Sequence, residues 1–347
     1  MAKEEIIPVT LVTGLSDSLK SSLIKKIKVQ KQSKVILFQD NNNFSFEEFP
    51  EELLQEKKLT EAVHDLVTYN KNELLCVLKD QQNKKAELLI VDLDNVHAPD
   101  MLSSFMEEDS FLDTLHIHVI DAVSFWFHYS SIESVENLSS MGNESQEFTL
   151  GELLIFPLEM ADTIILGNAD QVSKERLAEL NWFLGKLNPL AEFVTMADFK
   201  RGVVPGEKDI GRKRTPYELY TYQLQHFEQK KPFVLVGEYG IDTYIYRSSF
   251  PVSMERLEKF FQELPEGTLR TKAVCYIPQE EQTHFISQIG PSVEIITEEK
   301  NYNEPTAADN LSEFLFIGDH LDPLTIKKGL DSCLLNDTIL TETKLSK

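Results

Sequence analysis

Between Ile6 and Ile27 the apolar positions change rhythm. Ile7, Val9, Leu11 and Val12 crowd into a run about as long as one strand, Gly14 ends it, and Leu23, Ile24 and Ile27 then recur at helical spacing. This predicts a buried strand, a tight turn and a helix beginning near Lys20. Similar apolar runs return along the first half: Lys34–Phe38, Leu88–Val91 ended by Asp92, Leu115–Val119 leading into Asp121, and Thr163–Leu166 leading into Gly167, Asn168, Ala169 and Asp170. Between them, Glu47–Tyr69 is acidic and helix-prone, and Glu73–Leu78 is a short apolar stretch containing Cys76. Strands alternating with helical segments at this rhythm predict an α/β fold with a doubly wound, mostly parallel sheet, in which loops at the carboxyl ends of the strands face the ligand.

The pattern changes past residue 200. Arg201–Lys231 is charged, rich in glycine and without apolar period in RGVVPGEKDIGRKRTP, which marks a linker. From Pro232 the expected succession is strand (Phe233–Val236), strand (Ile241–Tyr246), helix (Val252–Leu264), strand (Ala273–Ile277), further short strands and a helix (Leu324–Leu335). That order predicts a smaller α+β domain with helices on one face of an antiparallel sheet. The expected boundaries are 1–205, a linker at 206–231, 232–337 and a tail at 338–347.

Composition narrows the classes. At 347 residues, 41% apolar and 26% charged, the chain has room for two sizeable cores. Its net charge of -23, from 57 acidic against 34 basic residues, repels a nucleic-acid backbone or an anionic membrane surface. Cys76, Cys275 and Cys333 lie far apart with no CxxC pair, which argues for a reducing compartment and against a disulfide framework or a self-contained zinc site. The N-terminus lacks the apolar core of a signal peptide, and no apolar run of about 18 residues occurs. A cytoplasmic protein is expected.

The turn after the first strand carries the first candidate chemistry. Gly14, Leu15, Ser16, Asp17, Ser18, Leu19, Lys20 and Ser21 match G-x-x-x-x-G-K-[ST] at the first glycine, the lysine and the hydroxyl, but Leu19 replaces the second glycine. In such a loop Lys20 reaches the terminal phosphates, Ser21 ligates magnesium, and the N–H groups of the turn cradle the anion. Leu19 adds bulk where backbone approaches phosphate, and Asp17 adds a like charge. The alternative is an ordinary strand-turn-helix with a surface lysine. Asp92 ends a buried strand where an acid supports magnesium, or else it is a turn aspartate ahead of Asn95. Asp170 can accept guanine N1–H and N2–H, which adenine does not offer.

The remaining candidates each have a plainer explanation. His116 and His118 alternate on one strand face, as two metal ligands or as histidines hydrogen-bonded at the sheet surface. Cys76, between Leu75 and Val77, is a thiolate ligand or a small buried hydrophobe. Phe125, Trp126, Phe127 and Tyr129 form an aromatic cluster suited to core or interface. No serine, cysteine or histidine arrangement suggests covalent catalysis.

Taken together these stations resemble the CobW-like P-loop GTPases, a family of metallochaperones and metalloenzyme activators. The family's TGFLGAGKTT corresponds without a gap to Thr13, Gly14, Leu15, Ser16, Asp17, Ser18, Leu19, Lys20, Ser21 and Ser22. Its ETTGLADP falls on Asp92–Pro99, with Asn95 in place of the glycine that senses the γ-phosphate; its VVDA falls on Val119–Ala122. Its NKxD falls on Gly167, Asn168, Ala169 and Asp170, so only the base-reading acid is kept. In the second half, Gly240–Phe250, Gly267–Arg270 with Lys272, and FLFIGDHLDPLTIKKGLDSCLL from Phe314 to Leu335 are similar to the family's C-terminal domain.

The resemblance implies a GTP-binding metal chaperone or metalloenzyme activator with slow hydrolysis. GTP and magnesium would meet Gly14, Ser16, Asp17, Ser18, Leu19, Lys20, Ser21, Ser22, Asn168 and Asp170, with Asp92 and Asn95 in catalytic positions and a protein client on the C-terminal domain. The family's CxCC zinc motif falls on Glu73, Leu74, Leu75 and Cys76, so Cys76 alone survives beside Ser21 and Asp92 as a metal-ligand candidate. The competing class is an inactive relative kept as an interaction or regulatory scaffold.

Overall fold

In the computed structural model the described residues are 9–30, 35–39, 63–65, 88–93, 98, 102, 114–137, 146–199, 238–275, 277, 282–299 and 311–335. The chain divides into two compact units, one from Met1–Tyr129 with Glu133–Tyr222 and the other chiefly from Gln223–Lys347.

The first unit opens with β1 (Val9–Thr13) and α1 (Asp17–Gln30), followed by β2 (Val35–Gln39), β3 (Val63–Asp65) and β4 (Leu88–Asp92). Next come β5 (Thr114–Asp121), α2 (Phe125–Tyr129), β6 (Ser134–Asn137), β7 (Gln146–Thr149), α3 (Leu150–Met160), β8 (Thr163–Gly167), α4 (Lys174–Leu187) and β9 (Glu192–Thr195). Seven strands form one sheet in the order β3-β2-β4-β1-β5-β8-β9, and every pairing in it is parallel. Strand order reverses beside β1, which puts the crevice at its carboxyl end where such sheets bind ligands. α1 lays Leu23, Ile24 and Ile27 on Val12, Ile90, Ile117, Val119 and Ile165, so the helical spacing read from the sequence is its buried face.

Two expectations need correction. α1 begins at Asp17 rather than near Lys20, because the Ser16 carbonyl already accepts the Lys20 N–H at 3.0 Å. An acid in that first turn also suits the positive end of the helix. Within the helix-prone Glu47–Tyr69, residues 63–65 are a strand paired with β2; pairing on an existing sheet edge overrides local composition.

β6 and β7 make a separate two-stranded antiparallel sheet that leads into α3. Thr149 and Glu152 close a capping box there. At the other end of α3, Asn188 donates to the carbonyls of Leu158, Glu159 and Ala161 at 2.9, 3.2 and 2.9 Å. Phe125 and Tyr129 are buried against Trp126 and Phe183, as the aromatic run predicted for a core, while Phe127 is 69% exposed.

The second unit comprises β10 (Ile241–Ser248), α5 (Met254–Gln262), β11 (Thr268–Cys275), β12 (Gln282–Ile289), β13 (Ser292–Glu299), β14 (Ser312–Asp319) and α6 (Pro323–Cys333). Its antiparallel sheet runs β10-β14-β11-β12-β13, so the strands expected to be short are each eight residues long. Tyr246, Ala273, Cys275, Ile286, Phe314 and Phe316 share a core with Leu257 and Phe261 of α5 and Ile326 and Leu330 of α6. Asp322 caps α6 by accepting the Leu324 N–H, with Pro323 as its first residue.

Candidate functional site

Thr13 ends β1, and only Gly14, Leu15 and Ser16 separate it from α1. Gly14 has φ +145, and a Cβ there would stand 2.4 Å from the Val119 carbonyl oxygen, so glycine is needed for the turn to pass β5. The early helix start fixes where Lys20 goes. One turn along α1, its ammonium is buried, 2.9 Å from Asp92 Oδ1 and 3.2 Å from Asp17 Oδ1, and it donates to the Leu93 carbonyl at 3.2 Å. Three acceptors thus surround a group that has three N–H donors. Burial by itself pulls the Lys20 pKa down, but Asp92 and then Asp17 more than offset this and hold it above its ordinary value.

The neighbouring side chains of the turn are engaged locally. Ser22 Oγ donates back to the Ser18 carbonyl at 2.8 Å, and the Ser16 and Ser18 hydroxyls lie 3.2 Å apart. Leu19 turns toward β8: a Cβ on Gly167 would be 2.5 Å from Leu19 Cδ1. The branched side chain that replaces the loop's second glycine therefore fills space left open by a glycine at the end of β8. Ser21, next after Lys20, is half-buried.

On the opposite side of the site, Asn168 adopts φ 52, a left-handed conformation that asparagine tolerates, and donates through Nδ2 to Asp121 Oδ1 at 3.0 Å. Its Oδ1 accepts from Gln171 Nε2 at 3.2 Å. Asp170 is exposed on the single 3-10 turn Ala169–Gln171. Asp92 and Asp121 thus close β4 and β5, Asn168 and Asp170 follow the end of β8, and Lys20 reaches Asp92 from α1, at the carboxyl ends of the parallel strands. Asn95 and Cys76 lie outside the described residues.

His116 and His118 are not at the sheet surface. Both are buried in β5, where Thr13 Oγ1 lies 2.8 Å from His116 Nε2 and 2.8 Å from His118 Nδ1. A hydroxyl donates one hydrogen bond and accepts others, so it serves one imidazole as donor and the other as acceptor. Burial pushes His116 down to about 4, opposed by the Met160 backbone, and drives His118 well below its ordinary value, with His116 and Lys20 adding to the effect. Two neutral rings bridged by a hydroxyl are a core hydrogen-bond network. Among the described residues no group of three His, Cys, Asp or Glu side chains is placed to hold a metal.

The sequence reading missed the Thr13 bridge, the Leu19–Gly167 contact and the hold of Asp17 on Lys20. The last had a signal: Asp17 and Lys20 stand three apart, neighbours on a helix once its start is placed at Asp17.

Comparison with known proteins adds to this. Residues 241–334 match the family described as "Cobalamin synthesis protein cobW C-terminal domain". Over 97% of its length the chain is 22% identical to "Zinc-regulated GTPase metalloprotein activator 1" of Dictyostelium discoideum, covering 81% of that protein. Among solved structures, it is similar to the Zn(II)-bound YjiA GTPase from E. coli, at 16% identity, 95% of this chain, 99% of that one and a TM-score of 0.37. It is also similar to HypB from Helicobacter pylori in complex with nickel, at 13% identity, 66% and 89% coverage and a TM-score of 0.32.

Proposed function

We propose that the chain is a member of the CobW-like family, a cytoplasmic guanine-nucleotide-binding protein of the metal-chaperone or metalloenzyme-activator type, with slow GTP hydrolysis. The observation that supports this is the placement of Lys20: a buried ammonium, next to Ser21 on the first turns of α1 and against Asp92, where strand order reverses. In this reading Lys20 receives the terminal phosphates, Ser21 and Asp92 hold magnesium, and Asp170 reads the guanine edge with Asn168 fixing its loop. Magnesium would supply charge neutralisation between the phosphates. The expected domains are 1–205 and 232–337, the second taking a protein client, with zinc or cobalt as the cargo metal and Cys76 as a ligand.

Slow turnover fits the chemistry. Hydrolysis rests on donors held toward the developing charge, and here the Ser22 hydroxyl already donates to the Ser18 carbonyl. A second reading, a scaffold that no longer binds nucleotide, draws on the same fact that Lys20 already has three acceptors.

Calorimetric titration with GTP and magnesium separates the two. The native chain is expected to bind, and Lys20→Ala to weaken binding by about tenfold or more, the loss of one charge-assisted contact. No heat with the native chain would replace the nucleotide reading by the scaffold.

A further inference from the structure

Of the three acceptors around the Lys20 ammonium, two are buried: Asp92, with 9% of its side chain exposed, and the carbonyl of Leu93, itself 2% exposed. The third, Asp17, has 70% of its side chain in solvent. An incoming phosphate oxygen needs one of the three donors, and the partner that can leave without unfolding a strand end is Asp17. Its carboxylate sits on the first turn of α1, where free N–H groups and the helix dipole also favour an anion. Asp17 therefore occupies both features a phosphate would use, the lysine and the helix start.

Charge counting makes the consequence specific. One positive group, Lys20, stands with two negative ones, Asp17 and Asp92, so the cluster carries one net negative charge (1 − 2 = −1). A bare polyphosphate meets repulsion from both acids. A polyphosphate that arrives with a divalent cation brings two positive charges, and these satisfy Asp92 while the phosphate takes the ammonium.

We infer that Asp17 is an internal stand-in for phosphate that makes the site selective for the divalent-cation complex of a polyphosphate over the bare anion. This rests on the nucleotide reading of the same site. The native carboxylate is displaced only when cation and phosphate come together, so Asp17 sets both the affinity and its dependence on the metal.

The test is calorimetric titration of the full chain with GTP, in magnesium and in EDTA, on the native protein, Asp17→Asn and Asp17→Ser. Asparagine keeps the shape and serine keeps a helix-starting residue, so a fault peculiar to one replacement is visible in the other, and thermal melts verify that each variant is folded. Removing one unit charge a few ångströms from the ligand is expected to tighten binding in magnesium by about tenfold. Withdrawal of magnesium is expected to cost the native chain at least about tenfold more affinity than it costs either variant. If the native chain binds and both variants bind no more tightly, or lose as much in EDTA, the inference falls while the nucleotide reading stands. If native and variants alike fail to bind GTP in magnesium, both fall. Binding by the variants alone would overturn the inference as well, because the native carboxylate would then exclude the polyphosphate even when its cation comes with it.

Discussion

One hydroxyl holds two imidazoles in the interior of this protein. Thr13 reaches both His116 and His118, and the interior keeps His116 neutral down to a pKa of about 4, against an ordinary value of 6.5. A histidine whose folded pKa is depressed leaves the unfolded chain binding more protons between those values. Its contribution is therefore complete above pH 6.5 and is lost as the pH falls toward 4, and His118 acts in the same direction. For His116 alone the linkage is worth about 2 kcal/mol by pH 5. Urea unfolding measured from pH 7.5 to pH 5 should show stability falling over a range where ordinary carboxylates have barely begun to titrate, and His116→Gln should flatten the slope. A level profile in the native chain would mean that neither ring is held neutral by the fold.

At the scale of elements, the ends of helices decide more than their middles. Asn188 satisfies three carbonyls at the end of α3, while its Oδ1 accepts the N–H groups of Leu190 and Ala191 at 3.1 and 3.0 Å. The side chain is buried, so water cannot readily replace it, and Asn188→Ala is expected to cost about 2–4 kcal/mol in equilibrium unfolding. A loss below about 0.5 kcal/mol would show that the loop after α4 rearranges to cap α3 without it. Such long-range caps explain what the sequence could and could not disclose. The strands at β1, β4, β5 and β8 were legible because each is an apolar run ended by a polar residue or glycine, and α1 declared itself through Leu23, Ile24 and Ile27. The start of α1 was not, since a motif written around Lys20 drew attention past the Ser16 carbonyl that begins the helix. Nor were the partners of Asn188 or Thr13, which are tens to a hundred residues distant in the chain. The complementarity of Leu19 and Gly167 was equally hidden: each reads as a lost motif residue until the two are seen to occupy one another's space.

For the molecule as a whole, charge is the strongest influence outside the cores. A chain with 57 acidic and 34 basic residues repels itself when compact, and this repulsion acts over distances that salt screens. Ion pairs at the surface, such as Lys327 with Asp331 at 2.5 Å, are weakened by the same salt, but exposed pairs of this kind contribute little. The pair between Lys20 and Asp92 is buried and responds less. The balance favours the folded chain: raising sodium chloride from about 20 mM to 0.5 M should stabilise it by about 1 kcal/mol, which lifts the first thermal transition by roughly 2–4 °C. Sodium sulfate is the wrong salt for this measurement because it strengthens apolar burial as well, whereas chloride acts mainly by screening. A transition that falls as chloride is added would mean that attractive pairs outweigh the excess of acid, so that the negative charge is concentrated in segments that do not press on the folded units.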